Sequence, residues 1–244
     1  MPLRLFLIVR MHTKLLCLTI ITLFCSTVAH AQDGYFYGSV KIPLFEYIGY
    51  LVNDNLDEDT EGALIDAGYA WKVHRHLALE TGVEYFFRSN FSKNYYSGTH
   101  AAGQKTGEIA IDNSSFAFQA RPVLHTNAGA EETTTIRFGC ALNYQQAFSK
   151  GTYYGYANGN LNGEIQDNSR SAFFLTVQPM AGINFQWGAG FKIGFDISYI
   201  NVDWTRSMNK VQFEGNRSLI IPEHKTSNLF ISTRFFFGGK RKDR

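Results

Sequence analysis

From Ala63 to Arg88 the chain reads ALIDAGYAWKVHRHLALETGVEYFFR, and this stretch narrows its possible folds more than any other. In the first half Ile65, Ala67, Tyr69, Trp71 and Val73 alternate with Leu64, Asp66, Gly68, Ala70 and Lys72. In the second half Leu77, Leu79, Thr81, Val83, Tyr85 and Phe87 alternate with Ala78, Glu80, Gly82, Glu84, Phe86 and Arg88. A period of two means strands with two chemically different faces. Only His74-Arg75-His76 separates the halves, so they form a tight hairpin. One face carries charges and glycines, the other large aromatics. Such a pair behaves as though its outer solvent were oil.

The N-terminus fits export. Arg10 and Lys14 precede the apolar run Leu15–Phe24, and Ser26-Thr27-Val28 leads into Ala29-His30-Ala31. A basic region, a short apolar core and an A-x-A site describe a secretory signal peptide over residues 1–31, with Met11 as an alternative start. One domain, residues 32–244, follows with no linker or composition break. Removing Arg4, Arg10 and Lys14 lowers the formal charge from +2 to −1. No basic field remains to attract nucleic acid. Cys140 is the single cysteine after residue 31, so no internal disulfide is possible. Hydrophobic residues make up 45% of the chain, yet no later run reaches the ~18 apolar residues of a spanning helix.

Further alternating segments follow in order. Gly34–Leu44 sets Phe36, Val40 and Ile42 against Tyr35, Tyr37, Ser39 and Lys41. Residues 108–123 are less regular, because Ile109 and Ile111 share parity with Val123 while Phe116 and Phe118 do not. A bulge near Asp112-Asn113-Ser114 would reconcile them. Ile136 to Tyr144, Phe173 to Trp187, Phe191 to Tyr199 and Leu229 to Phe237 alternate cleanly. Residues 45–61, 89–107, 150–170 and 201–225 read as long loops, and the other connections as short turns.

Long and short connections therefore alternate between eight strands. That segregation describes an all-β, eight-stranded antiparallel up-and-down transmembrane β-barrel with both termini at the short-turn end. Closure is obligatory, since an open sheet edge in hydrocarbon leaves backbone groups unpaired. Tyr69, Trp71, Tyr85, Phe87, Tyr144, Trp187, Tyr199 and Phe237 fall on the outward face near strand ends, where interfacial aromatic girdles belong.

On this strand pattern, the GYAWKVHRHLALETGVEYF hairpin and the aromatic-rich last strand, the chain resembles the small eight-stranded outer-membrane proteins of Gram-negative bacteria, the group of the OmpA transmembrane domain and OmpX. The resemblance covers residues 34–237. It implies the outer membrane, contact with its lipid and lipopolysaccharide, and insertion by the barrel-assembly machinery. One departure is that Gly238 to Arg244 follow the final aromatic, Phe237.

Parity points Lys41, Asp66, Lys72, Glu80, Glu84, Arg88, Arg121, Arg137, Lys192, Asp196 and Arg234 inward. Eight strands enclose a lumen that side chains can fill, and charges there must pair. Centring the hairpin on Arg75 sets Asp66 opposite Glu84 and Ala70 opposite Glu80. Two facing carboxylates need a cation between them, and Lys41 or Arg88 can reach. Glu80 and Arg121 fall near the turn end of adjacent strands, placed to pair. Two readings stand: a structural ionic core or a gated narrow pathway.

Other candidates are thinner. Asp57, Asp59, Glu61 and Gly62 match positions 1, 3, 5 and 6 of a calcium loop, but position 12 is Gly68 instead of Glu. His74 and His76 lack a third ligand. His224, Ser227 and Asn228 approach the His-x-Ser-Asn pattern of lipid A deacylases with the wrong spacing, and no acid is at hand to orient the histidine. Tyr95, Tyr96, Tyr153, Tyr154 and Tyr156 offer contact area for an extracellular ligand. No catalytic, cofactor or metal site is expected. The reading is a non-enzymatic outer-membrane barrel with a structural or surface-binding role, the alternatives being a narrow channel and a lipid A-modifying enzyme.

Overall fold

A computed structural model of the chain describes residues 34–44, 62–96, 103–127, 134–157, 160–166, 170–187, 191–211 and 224–238. The expected signal peptide, the acidic 54–61 segment and the basic tail after Gly238 lie outside the described residues. The alternating hairpin becomes β2 (Leu64–His74) and β3 (Leu77–Tyr96), with Asp66 opposite Glu84 and Ala70 opposite Glu80. β1 (Gly34–Pro43) pairs with β2 on one side and with β9 (Lys225–Phe237) on the other. β4 (Lys105–Asn127), β5 (Thr134–Ala157), β7 (Arg170–Gln186) and β8 (Phe191–Asp203) complete the ring, all antiparallel. Every ring strand has two partners. The fold is an eight-stranded antiparallel up-and-down β-barrel.

The register also shows the tilt that closure requires. From Phe235, one route passes through Ile193 and Phe185 to Thr134 on β5. The opposite route passes through Gly38, Ala67, Val83 and Phe118 to Tyr144 on the same strand. The two routes miss each other along β5, so the strands run obliquely to the barrel axis.

Outside, the barrel is apolar. Phe36, Phe118, Phe138, Leu142, Phe173, Leu175, Val177, Phe195 and Ile197 are each at least half exposed. A water-facing surface would be intolerably oily on this scale, whereas a transmembrane barrel requires it.

Three expectations are corrected. Segments expected as loops extend the strands instead: β3 runs to Tyr96, β4 starts at Lys105, and β5 runs to Ala157 before turning back as β6 (Asn160–Gln166), which pairs with β5 outside the ring. At about 3.3 Å per residue, the 24 residues of β5 extend roughly 80 Å. At a tilt of about 40° they rise more than twice the apolar band of about 25 Å. Above that band the outer face need not be apolar, so the alternation fades and the strand resembles a loop. The last connection expected as a loop, 201–225, contains the end of β8 and a short helix, α1 (Thr205–Met208).

The bulge falls on the neighbouring strand. Phe86 pairs with Ser115 and Ser89 with Asn113, leaving Phe87 and Arg88 of β3 opposite Ser114 alone. β4 itself keeps parity, so Ile109, Ile111 and Val123 all point inward. Their apolar character reflects an oily layer within the lumen, not a change of face.

Candidate functional site

The lumen is filled in layers, each supplied by the inward residues of several strands. Nearest the turn end, Tyr35, Tyr37, Ala70 and Phe236 form an aromatic floor. Tyr37 lies across the paired Gly68 and Gly82, where an added Cβ would meet its hydroxyl at 2.7 and 2.8 Å respectively. Glycine is required there because a Cβ would collide first with the backbone carbonyls of Thr81 and Ala67 on the paired strands, and next with the Tyr37 hydroxyl.

Above the floor lies an ionic layer of four acids (Asp66, Glu80, Glu84, Asp196) and four bases (Lys41, Arg121, Arg137, Arg234), all buried. The charges balance. Glu80 receives three guanidiniums, Arg121 at 3.0 Å, Arg137 at 2.5 Å and Arg234 at 2.6 Å. Asp66 meets Lys41 at 3.2 Å, Arg121 at 3.4 Å and Arg234 at 3.2 Å, and accepts from Ser39. Lys41 also donates to Glu84 and so stands between the two facing carboxylates. Asp196 lies 3.2 Å from Arg234 Nε and 3.6 Å from Arg137 Nη1. Arg137 stacks over Phe236 at 4.9 Å and Arg234 over Tyr37 at 4.8 Å, tying this layer to the floor.

A layer of amides and hydroxyls follows. Gln178 and Asn143 donate to Glu84 at 3.0 and 3.4 Å. Gln119 donates to Tyr37 at 3.2 Å, and Gln145 to Ser115 at 2.5 Å. The outer layer is apolar: Leu64, Phe86, Ile109, Ile111, Ile200, Val202 and Phe230 pack around Trp204 and Met208. α1 and the residue before it thus reach into the mouth from above. Trp204 is fully buried, its indole N–H donates to Thr226 at 2.8 Å, and Phe86 meets its ring edge-on at 5.3 Å.

Of the charged residues expected inside, Lys41, Asp66, Glu80, Glu84, Arg121, Arg137, Asp196 and Arg234 meet in one layer. Three do not. Arg88 is exposed because the bulge turns it outward, where it pairs with Asp112 at 3.1 Å. Lys72 keeps inward parity but lies past the last buried layer and is exposed at the turn-end mouth. Lys192 is half-buried at that mouth, 4.7 Å over the Tyr35 ring.

Among the aromatics, Tyr85, Phe87, Tyr144, Trp187, Tyr199 and Phe237 are exposed on the outer face. Tyr69 and Trp71 are partly covered because they pack on each other at 5.0 Å, and Phe36 meets Tyr69 edge-on at 5.0 Å. The tyrosines of the outer extensions divide. Tyr95 and Tyr153 pack against the apolar plug, and Tyr96 is exposed. Tyr156 donates to Glu108 at 3.0 Å beneath the Lys105 ammonium.

His224 meets Phe91 edge-on at 5.2 Å, beside the plug, whereas Ser227 is bonded to Tyr199 on the exposed face. They form no nucleophile–base pair. His74 and His76 have ring centroids 6.2 Å apart. Among the described residues no group of three or more His, Cys, Asp or Glu could hold a metal ion.

The apolar plug was not anticipated from the sequence. Its signal is present: Val202, Trp204, Met208 and Val211 are large apolar residues inside a segment read as a long loop.

No family model matches the chain, and no curated protein matches it. Among solved structures it is similar to Neisserial surface protein A (NspA), at 8% identity over 84% of this chain and 96% of that chain, with a TM-score of 0.42. It is similar to Ail, the attachment invasion locus protein of Yersinia pestis, in complex with the heparin analogue sucrose octasulfate, at 11% identity over 85% and 94%, with a TM-score of 0.33. A third likeness is to the outer membrane protein OprG from Pseudomonas aeruginosa, at 9% identity over 86% and 94%, with a TM-score of 0.35. At these scores the likenesses carry no argument about function.

Proposed function

We propose that this chain is an outer-membrane β-barrel that does not conduct, and that its role is structural or one of surface binding. The observation that carries the reading is the lumen, filled from the Phe236 floor to the Trp204 plug. A conducting pathway would have to break the ionic layer and displace the plug together. Ions crossing one would still meet the other.

Binding, on this reading, belongs to the outside. The outward apolar belt contacts membrane lipid and lipopolysaccharide, and the barrel-assembly machinery inserts it. The extensions of β3, β4 and β5, with β6 alongside, project beyond the belt and present the surface for an extracellular ligand. A lipid A-modifying activity is disfavoured by the separation of His224 and Ser227 onto different faces.

The test has two parts. Protein in planar bilayers gives no conductance above background between pH 4 and 8, and steady single-channel steps would overturn the sealed reading. A strain whose chromosomal copy lacks residues 91–110 and 152–166 keeps the protein in the outer-membrane fraction, with heat-modifiable gel migration, and loses surface attachment. Unchanged attachment would refute the role given to the extensions.

A further inference from the structure

The turn-end mouth differs in charge from the layer above it. A cavity of about 50 Å³ opens there, lined among others by Glu80, His125, Arg137, Asn184, Lys192 and Phe236. Its one acid, Glu80, is already engaged by three guanidiniums. The charges of Lys72 and Arg137 both reach Lys192, and those of Lys192, Lys72 and Arg137 all reach His125. Neither Lys192 nor Lys72 has a carboxylate partner among the described residues, and Lys192 rests on the face of Tyr35. Arg137 belongs to the neutral ionic layer, paired there with Glu80 and close to Asp196, so the excess at the mouth is that of Lys192 and Lys72.

Like charges gathered around a partly enclosed space attract an anion. One water needs about 10–15 Å³ of such space, so the cavity has room for a few waters or one small oxyanion. Lys192 and Arg137 supply charged donors, which bind oxyanions more strongly than neutral groups do. Asn184 already accepts from Arg137 at 3.2 Å, which leaves its amide N–H available to donate. The ring faces of Tyr35 and Phe236 wall the cavity and weaken solvent screening.

We infer that this vestibule, lined by Lys192, Arg137, His125 and Asn184 with Lys72 exposed outside its lining, is a binding site for a small tetrahedral oxyanion of the phosphate class. The inference stands apart from the role proposed above, since it concerns the end of the barrel opposite the extensions. In the cell the anion is either free phosphate or a phosphoryl group on a larger molecule.

The experiment is a calorimetric titration of the full chain, refolded in zwitterionic detergent, with inorganic phosphate at pH 7. Lys192→Gln, Lys72→Gln and the remote surface variant Arg88→Gln are run beside it, each first shown to fold by heat-modifiable migration. The wild type binds one phosphate saturably. Lys192→Gln weakens binding roughly tenfold, the scale of one charge-assisted contact. Lys72→Gln, at the exposed rim, weakens it by a smaller factor, and Arg88→Gln leaves it unchanged. A glycerophosphodiester run in parallel separates the sources, because a site for a phosphoryl group on a larger molecule binds it as well as phosphate, whereas a closed site for the free ion rejects it. No saturable heat up to about 10 mM phosphate would overturn the inference. So would equal binding by the wild type and both lysine variants, or an Arg88→Gln loss as large as theirs. If Lys192→Gln does not fold, Lys72→Gln decides.

Discussion

Glu80 and Arg121 face each other across β3 and β4 and close a 3.0 Å ion pair inside the barrel. The pair is one arm of a fork, since Arg137 and Arg234 reach the same carboxylate from β5 and β9. One acid therefore links four strands of the ring, two of which are not its neighbours. The arrangement joins opposite walls as well as neutralising charge.

Removing that acid leaves three buried cations short of a partner. Glu80→Gln should cost about 3–5 kcal/mol, the range for breaking a buried pair from one side, read from denaturant unfolding in detergent. Asp112→Asn also breaks an ion pair, the one with Arg88, but both side chains are more than half exposed. It should change stability by less than about 0.5 kcal/mol. Equal effects from the two variants would mean the lumen is wet.

How much of this was legible in the sequence depends on what lies outside the strand. Where the outer face meets lipid, both periodicity and register were readable, down to Asp66 opposite Glu84. Past the lipid band the outer residues become polar, the contrast between faces disappears, and β5 and β6 resembled loop. The bulge that turns Arg88 outward left no mark because Phe87 and Arg88 keep the alternation of the residues before them. The plug was hidden for a different reason. Trp204 and Met208 enter the barrel from a connection, and the alternation of strands says nothing about a segment that folds back inside them.

Trp204→Ala should remove a ring that fills the outer mouth and leave Thr226 without its indole donor. The cost is about 3–5 kcal/mol, as for large-to-small changes in a packed core, seen as a lowered temperature for the heat-modifiable gel shift. The variant should still block ions, because the ionic layer lies intact beneath it. Conductance in Trp204→Ala alone would show that the plug is the sole barrier.

The outer tip of the extensions should respond to acid. Glu108 accepts from Lys105 and Tyr156, and its carboxyl is held below the ordinary value, chiefly by the Lys105 hydrogen bond. A depressed carboxylate contributes stability that is present above its unfolded pKa and lost as pH falls through its folded one. Amide exchange at Gly107 and Tyr154 should therefore quicken below about pH 4.5, the ordinary value for this carboxyl. Glu108→Gln should already show that faster exchange at pH 7, with no further acid response. Because Glu108 pairs with Lys105 and Tyr156 in the extension and not with the buried ionic layer, the barrel itself should not loosen over this range.

Cys140 offers the sharpest test of which solvent the outer wall meets. It is exposed, on the outward face of β5, between Phe138 and Leu142, which are themselves more than half exposed. In water such a thiol would react readily with a charged maleimide. In a bilayer the same thiol faces hydrocarbon, which a charged reagent does not enter. The full chain inserted in lipid vesicles should remain unlabelled at Cys140 and become fully labelled after unfolding. Lys105→Cys in a Cys140→Ser background puts a thiol at the outer tip of β4, beyond the apolar belt. It should label at the rate of a free thiol in the same vesicles. Rapid labelling of Cys140 in the folded, inserted protein would place that wall in water and sink the transmembrane reading. Protection at Cys140 with reaction at Lys105→Cys would locate the membrane boundary between them.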